Sequence, residues 1–225
     1  MLLHLPAVLD AAELTQLRQA LDNADWTDGR ETVGAQGREV KRNRQLPDAS
    51  ALRHALAARV QAALTRHPLF HAATLPLRML PPRFNRYEGG GEYGFHVDGA
   101  VMALPEGGQL RSDIAGTLFL ADPASYDGGE LIVSDTYGEH AVKLPAGDLV
   151  IYPASSLHRV APVTRGARVA AFFWVQSLVR DERRRRTLFE LDQSIQALRA
   201  SHADAAAVLQ LTGVYHNLLR EWSET

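Results

Sequence analysis

The stretch Tyr93-Gly94-Phe95-His96-Val97-Asp98 decides how this chain of 225 residues is read. His158 follows Asp98 by 60 residues, and Arg168 follows His158 by ten. On a β-strand, His96 and Asp98 point to the same side of the sheet, because side chains two apart share a face. Two imidazoles and one carboxylate can occupy one face of an octahedral iron(II) and leave three positions open. His158, from a distant strand, supplies the second imidazole. Arg168 can offer a forked cation to a carboxylate. Taken alone, each of the nine histidines reads as an ordinary polar residue. Zinc would also fit the three donors and would be inert toward oxygen.

Outward from that stretch the chain reads as short strands: 77–88, 92–98, 112–121, 130–134, 139–144, 148–152, 157–161 and 167–178. Turn signals separate them, among them Gly89-Gly90-Gly91, Asp127-Gly128-Gly129 and Pro145-Ala146-Gly147-Asp148. Eight such strands suggest a sandwich or jelly roll. Gly89-Gly90-Gly91 is not a phosphate loop, since no Gly-Lys-Ser/Thr follows. It reads as a turn that leads the His96 strand into the barrel.

Helical patterns flank this region. Asp10 and Glu13 form a capping box for a helix ending near Asn23, with Leu14, Leu17 and Leu21 on one face. A polar stretch punctuated by Gly34 and Gly37 leads to Val40 through Leu46. Asp48 reads as the N-cap of a second helix that Pro68 stops. Asp181 caps a third, with Leu188, Leu191, Ile195 and Leu198 facing inward. Asp204 starts a fourth, which Gly213 could break. The expected division is a helical support region over 1–76, a core over 77–178 and a helical extension over 179–225.

Hydrophobic residues make up 46% and charged ones 22%, an ordinary globular balance. The net charge of −2 provides no basic field for nucleic acid. The absence of cysteine excludes disulfides and thiolate metal sites. The N-terminus lacks the basic region of a signal peptide, and no apolar run approaches membrane-spanning length. A cytoplasmic protein with no membrane partner is expected.

The order of motifs resembles that of iron(II)/2-oxoglutarate-dependent dioxygenases. The wording Asn85-Arg86-Tyr87, His96-Val97-Asp98, Leu118-Phe119-Leu120, Gly128-Gly129-Glu130-Leu131, Tyr152-Pro153 and Leu157-His158-Arg159-Val160 is similar to that of the bacterial PKHD-type hydroxylases, relatives of the prolyl 4-hydroxylases. The resemblance implies an α+β, mainly β fold built on a double-stranded β-helix. It implies hydroxylation of an unidentified small-molecule or peptide substrate by dioxygen, with 2-oxoglutarate converted to succinate and carbon dioxide. It further implies Fe(2+) on His96, Asp98 and His158, 2-oxoglutarate on Arg168 and Tyr87, support from L-ascorbate, and an association with iron uptake. A non-catalytic module that senses iron or 2-oxoglutarate is the rival from another class. A protein prolyl hydroxylase is the rival among enzymes.

Several residues are weaker candidates. Arg168 lies on an apolar strand, where an unpaired cation is costly, so an internal Asp or Glu is its alternative partner. Tyr87 is otherwise a core aromatic with a satisfied hydroxyl. Asn85, Tyr93 and Trp174 are candidates for lining the same cavity. Asn43, Arg44 and Gln45 read either as a substrate-contacting lid or as a solvated loop. Arg183-Arg184-Arg185-Arg186 reads as a solvated helix face. The other seven histidines have no ligand-like spacing. The apolar faces of the C-terminal helices could be buried within one chain or across a homodimer.

Overall fold

A computed structural model describes residues 1–32 and 35–224; Gly34 lies outside the described residues. Among the described residues there are six α-helices: α1 (Ala11–Asp22), α2 (Ala35–Val40), α3 (Ala51–Arg66), α4 (Pro68–Thr74), α5 (Glu182–Ala200) and α6 (Ala205–Trp222). The expected capping box opens α1, with Asp10 accepting from the Glu13 amide and Glu13 accepting from the Asp10 amide. The N-cap of α3 is Ser50, not Asp48. Asp48 instead receives two hydrogen bonds from Arg83. Pro68 ends α3 and also opens α4, since a residue without an N–H fits the first helical position. Gly213 does not break α6, which runs through it for 18 residues.

The strands form two principal antiparallel sheets. The larger runs Leu3–Leu5, Leu149–Pro153, Ile114–Phe119, Ala167–Ser177, Arg83–Glu88, Arg44–Gln45, Thr27–Asp28, with Pro76–Met79 paired beside the end of Ala167–Ser177. The smaller runs Gly138–Val142, Leu131–Asp135, Leu157–Val160, Glu92–His96, Lys41–Arg42. The strand expected over 77–88 is two strands, interrupted where Pro81 and Pro82 supply no ladder donors. Residues 41–45 cross from one sheet to the other. Lys41 pairs with Tyr93 in the smaller sheet, and Gln45 pairs with Asn85 in the larger. The segment is therefore paired strand at both ends rather than a solvated loop. Arg44 is exposed, but Gln45 is buried and accepts from Lys41 Nζ at 2.6 Å.

Alternation along Ala167–Ser177 separates core from cavity. Val169, Ala171, Phe173 and Val175 are buried in one continuous core with Leu17 and Leu21 of α1, Val60 and Leu64 of α3 and Phe70 of α4. Phe70 meets Phe173 edge-on at 6.2 Å. Gly116 lies opposite Phe173, where a Cβ would fall 2.5 Å from the ring. Arg168 and Trp174 belong to the other face of the strand and line a cavity between the sheets.

Helices α5 and α6 pack on their own chain. Leu188 joins Leu75 and Val179, with Leu178, Tyr215, Leu218, Leu219 and Trp222 packed around them. Arg185 departs from the expected solvated run. It is 5% exposed and donates from Nη1 to the Val179 and Arg180 carbonyls, both at 2.7 Å. Among the described residues no helix is long and apolar enough to cross a membrane.

Candidate metal centre

Register brings the two imidazoles together. His158 and His96 are directly paired across antiparallel strands, with ring centroids 4.2 Å apart. Asp98 lies two residues beyond the end of the Glu92–His96 strand, and its Oδ2 is 3.9 Å from His158 Nε2. One ligand atom from each of the three residues lies within 4.8 Å of the others, a set that can hold a metal ion. The tautomers suit that use. His96 Nδ1 is 2.8 Å from the Gly94 carbonyl, and His158 Nδ1 is 3.0 Å from the Ser156 carbonyl. A carbonyl only accepts, so each Nδ1 carries the proton and each Nε2 keeps its lone pair for a metal.

Electrostatics point the same way. Burial pushes His96 down to about 4, aided by the neighbouring His158 and by Lys41 and opposed by the Gly94 carbonyl. The ring is thus a neutral donor at neutral pH. Burial pushes the Asp98 carboxyl up, against the pull of His158, Trp174 and Lys41. A cation between the three would favour its ionised form. Tyr93 stacks on His96 with centroids 3.6 Å apart and fixes the ring plane.

A cavity of about 950 Å³ surrounds the triad. Arg168 and Tyr87 face one another across paired strands, both 1% exposed. The guanidinium lies 5.4 Å from the Tyr87 ring centre and 5.2 Å from that of Phe119. Among the described residues its one hydrogen bond is a long one, 3.5 Å from Nη1 to Asn85 Oδ1, and Nε has no partner. Among the described residues no carboxylate pairs with Arg168, so the expected alternative of an internal ion pair is not found. Gly129, at φ 69°, makes room for it, since a Cβ there would lie 3.1 Å from Arg168 Cδ. Burial pushes Tyr87 up to about 12, with Arg168 opposing.

Asn85, Tyr93 and Trp174 all line the cavity, and Asn43 does so partly buried. Trp174 Nε1 is buried and its N–H, too far or too oblique for a full hydrogen bond, is still aimed closely enough at Asp98 to favour the charged carboxylate. The seven other histidines lie outside the cavity lining. His4 and His140 pair with Asp148 and Asp135, and His67 and His71 meet carbonyls. Sequence reasoning missed Lys41, which is 3% exposed on the cavity wall with Nζ 5.2 Å from the Tyr93 ring centre. Its rarity was a usable signal, because only Lys41 and Lys143 are lysines among 24 basic side chains.

Residues 82–176 match the family model of the 2OG-Fe(II) oxygenase superfamily, and residues 181–224 match that of the PKHD-type hydroxylase C-terminal domain. A PKHD-type hydroxylase of Stenotrophomonas maltophilia (strain R551-3) is 67% identical over 224 residues, covering 100% of both chains. One of Xylella fastidiosa (strain M23) is 63% identical over 230 residues, again covering 100% of both. Similar solved folds include HygX of Streptomyces hygroscopicus with nickel, 2-oxoglutarate and hygromycin B bound (TM-score 0.54, 17% identity, 79% of this chain and 84% of that one). A Pseudomonas putida prolyl-4-hydroxylase is another (TM-score 0.51, 21% identity, 78% and 92%). The chain belongs to the PKHD-type hydroxylases of the 2OG-Fe(II) oxygenase superfamily and is a 2-oxoglutarate-dependent dioxygenase.

Proposed function

We propose that His96, Asp98 and His158 hold iron(II), and that Arg168, assisted by Tyr87, holds the far carboxylate of 2-oxoglutarate beside it. Iron(II) with 2-oxoglutarate and dioxygen supplies an oxidant that places one oxygen atom in a substrate C–H bond and the other in succinate, as carbon dioxide leaves. The chain's own residues set the geometry. The Gly94 and Ser156 carbonyls orient the imidazoles, and Tyr93 holds the plane of His96. Arg168 and Tyr87 grip the keto-diacid at its distal end, which leaves its keto-acid end toward the triad. Phe172, Trp174 and Tyr152 exclude water around the reacting groups.

The observation that carries this reading is the guanidinium of Arg168, buried, cavity-facing and without a carboxylate. Such a cation is costly unless a bound anion completes it. The donor set and the arginine fit iron and 2-oxoglutarate together. On the same reading the two facing sheets are a double-stranded β-helix over 77–178, supported by 1–76 and extended by 179–225. Ascorbate restores iron(II) after uncoupled turnover, and the substrate is a small molecule or peptide that enters beside the triad. The packing of α5 and α6 on Leu75 and Val179 favours burial within one chain over a homodimer seam. Anaerobic protein given iron(II) and 2-oxoglutarate should develop a weak visible charge-transfer band, then release succinate in air. Absence of the band, or a band unchanged in R168M, would contradict the reading.

A further inference from the structure

Arg168 has a buried neighbour, Tyr126, that the co-substrate reading does not use. Tyr126 is 1% exposed, as is Arg168, and among the described residues Tyr126 Oη and Arg168 Nε are both buried without a hydrogen-bond partner. The two side chains meet at Gly129, where a Cβ would lie 3.0 Å from Tyr126 Cε2 and 3.1 Å from Arg168 Cδ. Nε is bonded to that Cδ, and the ring carbon next to Cε2 carries Oη. The backbone holds them there. Asp127 pairs with Arg165 and Gly128 with Val163, and Arg165 donates to both oxygens of Asp127 and to the Ala124 carbonyl. At Gly166, φ 68°, a Cβ would lie 3.0 Å from Tyr126 Cα, so the turn closes tightly on the chain just before Arg168. Lys143 fixes the ring, with Nζ 4.1 Å from its centre and 2.8 Å from the Tyr126 carbonyl. Burial pushes the Tyr126 phenol up, opposed by Arg168 and reinforced by Glu130 and Asp122, so the hydroxyl is uncharged at neutral pH.

A guanidinium only donates, so the hydroxyl is the acceptor within reach of Nε. A buried donor and a buried acceptor left unpaired side by side are both costly. Hydrogen bonds of a binding site are often long in the free protein and tighten when the ligand arrives. We propose that Tyr126 is a positioning residue for the co-substrate: when the far carboxylate of 2-oxoglutarate draws the guanidinium into place, Tyr126 Oη accepts from Arg168 Nε. That bond sets the guanidinium plane and leaves both Nη groups to fork the carboxylate. This role rests on the co-substrate site proposed above and adds a residue to it.

The test uses the full chain loaded with nickel(II), which does not turn over. 2-Oxoglutarate and 2-oxopentanoate, the same carbon chain without the far carboxylate, are titrated by calorimetry into the parent, Y126F, R168M and the double variant. Y126F should weaken 2-oxoglutarate by about fivefold, or about 1 kcal/mol, and leave 2-oxopentanoate within about twofold of the parent. In the R168M background Y126F should change 2-oxoglutarate binding by less than about twofold, because the two side chains act as one unit. A merely structural tyrosine would weaken both ligands alike, or weaken 2-oxoglutarate equally in R168M, and either result would overturn the proposal. R168M without effect on 2-oxoglutarate would remove the co-substrate reading and this role with it. A weakened R168M beside an unweakened Y126F would remove this role alone. A crystal structure of the parent with nickel(II) and 2-oxoglutarate decides the matter without a variant: Tyr126 Oη should lie about 2.7–3.2 Å from Arg168 Nε, and a clearly longer separation would overturn the proposal.

Discussion

Arg168 in the cavity and Arg185 at the root of the C-terminal helices are 1% and 5% exposed. Burial alone does not tell them apart. Arg185 is satisfied by its own chain, with two 2.7 Å hydrogen bonds to the Val179 and Arg180 carbonyls, and it ties α5 to the end of the central strand. Arg168 has one long bond to Asn85 and a bare Nε, although it sits between two aromatic rings. The first is a finished structural joint. The second is left unfinished by the described residues, and on the proposed reading an anion completes it. What marks the site is a buried group whose hydrogen-bonding capacity the fold leaves open.

The largest effect expected in the cavity is that of Asp98→Ala. Succinate formation should fall by at least about 100-fold, since even outer partners of metal ligands are worth about 10–100-fold. The metal-free protein should keep its thermal midpoint, because removing a buried carboxylate relieves a desolvation cost. Next come the two arginines. Arg168→Met should raise the KM for 2-oxoglutarate by roughly 100-fold, the loss of a charge-assisted bidentate grip. Its stability in urea should stay within about 1 kcal/mol of the parent or improve, since apolar replacement of an unpaired buried charge is often neutral or favourable. Arg185→Met should do the reverse, losing about 2–4 kcal/mol of stability by orphaning two carbonyls and leaving the KM unchanged. Equal destabilisation by the two substitutions would break the comparison.

Smaller effects would sharpen it. Tyr87→Phe should raise the KM for 2-oxoglutarate by roughly five- to tenfold, the value of one neutral hydrogen bond. For pH, the folded value of His96 near 4 lies below the unfolded 6.5, so the unfolded chain binds more protons between the two. The stability that neutral His96 contributes is present above about 6.5 and lost as pH falls through that window. Metal-free parent protein should therefore lose stability relative to His96→Gln between pH 6.5 and 4 in urea titrations. Parallel curves would mean that His96 is charged in the folded state.

The gathering of His96, Asp98 and His158 and the place of Arg168 on the cavity wall were legible because each depends on strand register. His96 and His158 are direct cross-strand partners, and a two-residue step puts Asp98 on the side of His96. The caps at Asp10 and Asp181 were legible for a similar local reason. Strands of two residues, such as Lys41–Arg42 and Arg44–Gln45, are too short to show alternation, so the corner that carries Lys41 was hidden. Asp48 and Ser50 are both good N-caps, and the choice was made by Arg83, 33 residues beyond Ser50. Arg185 was concealed in a run of like charges. Its spacing of three from Leu188 and ten from Ile195 nevertheless places it on their buried helix face.

The most direct measurement is a crystal structure of the protein with nickel(II) and 2-oxoglutarate. The metal should lie on His96 Nε2, Asp98 and His158 Nε2, with the far carboxylate of 2-oxoglutarate about 2.7–2.9 Å from the Arg168 guanidinium. A metal bound elsewhere, or a 2-oxoglutarate carboxylate that leaves Arg168 without a partner, would contradict the account.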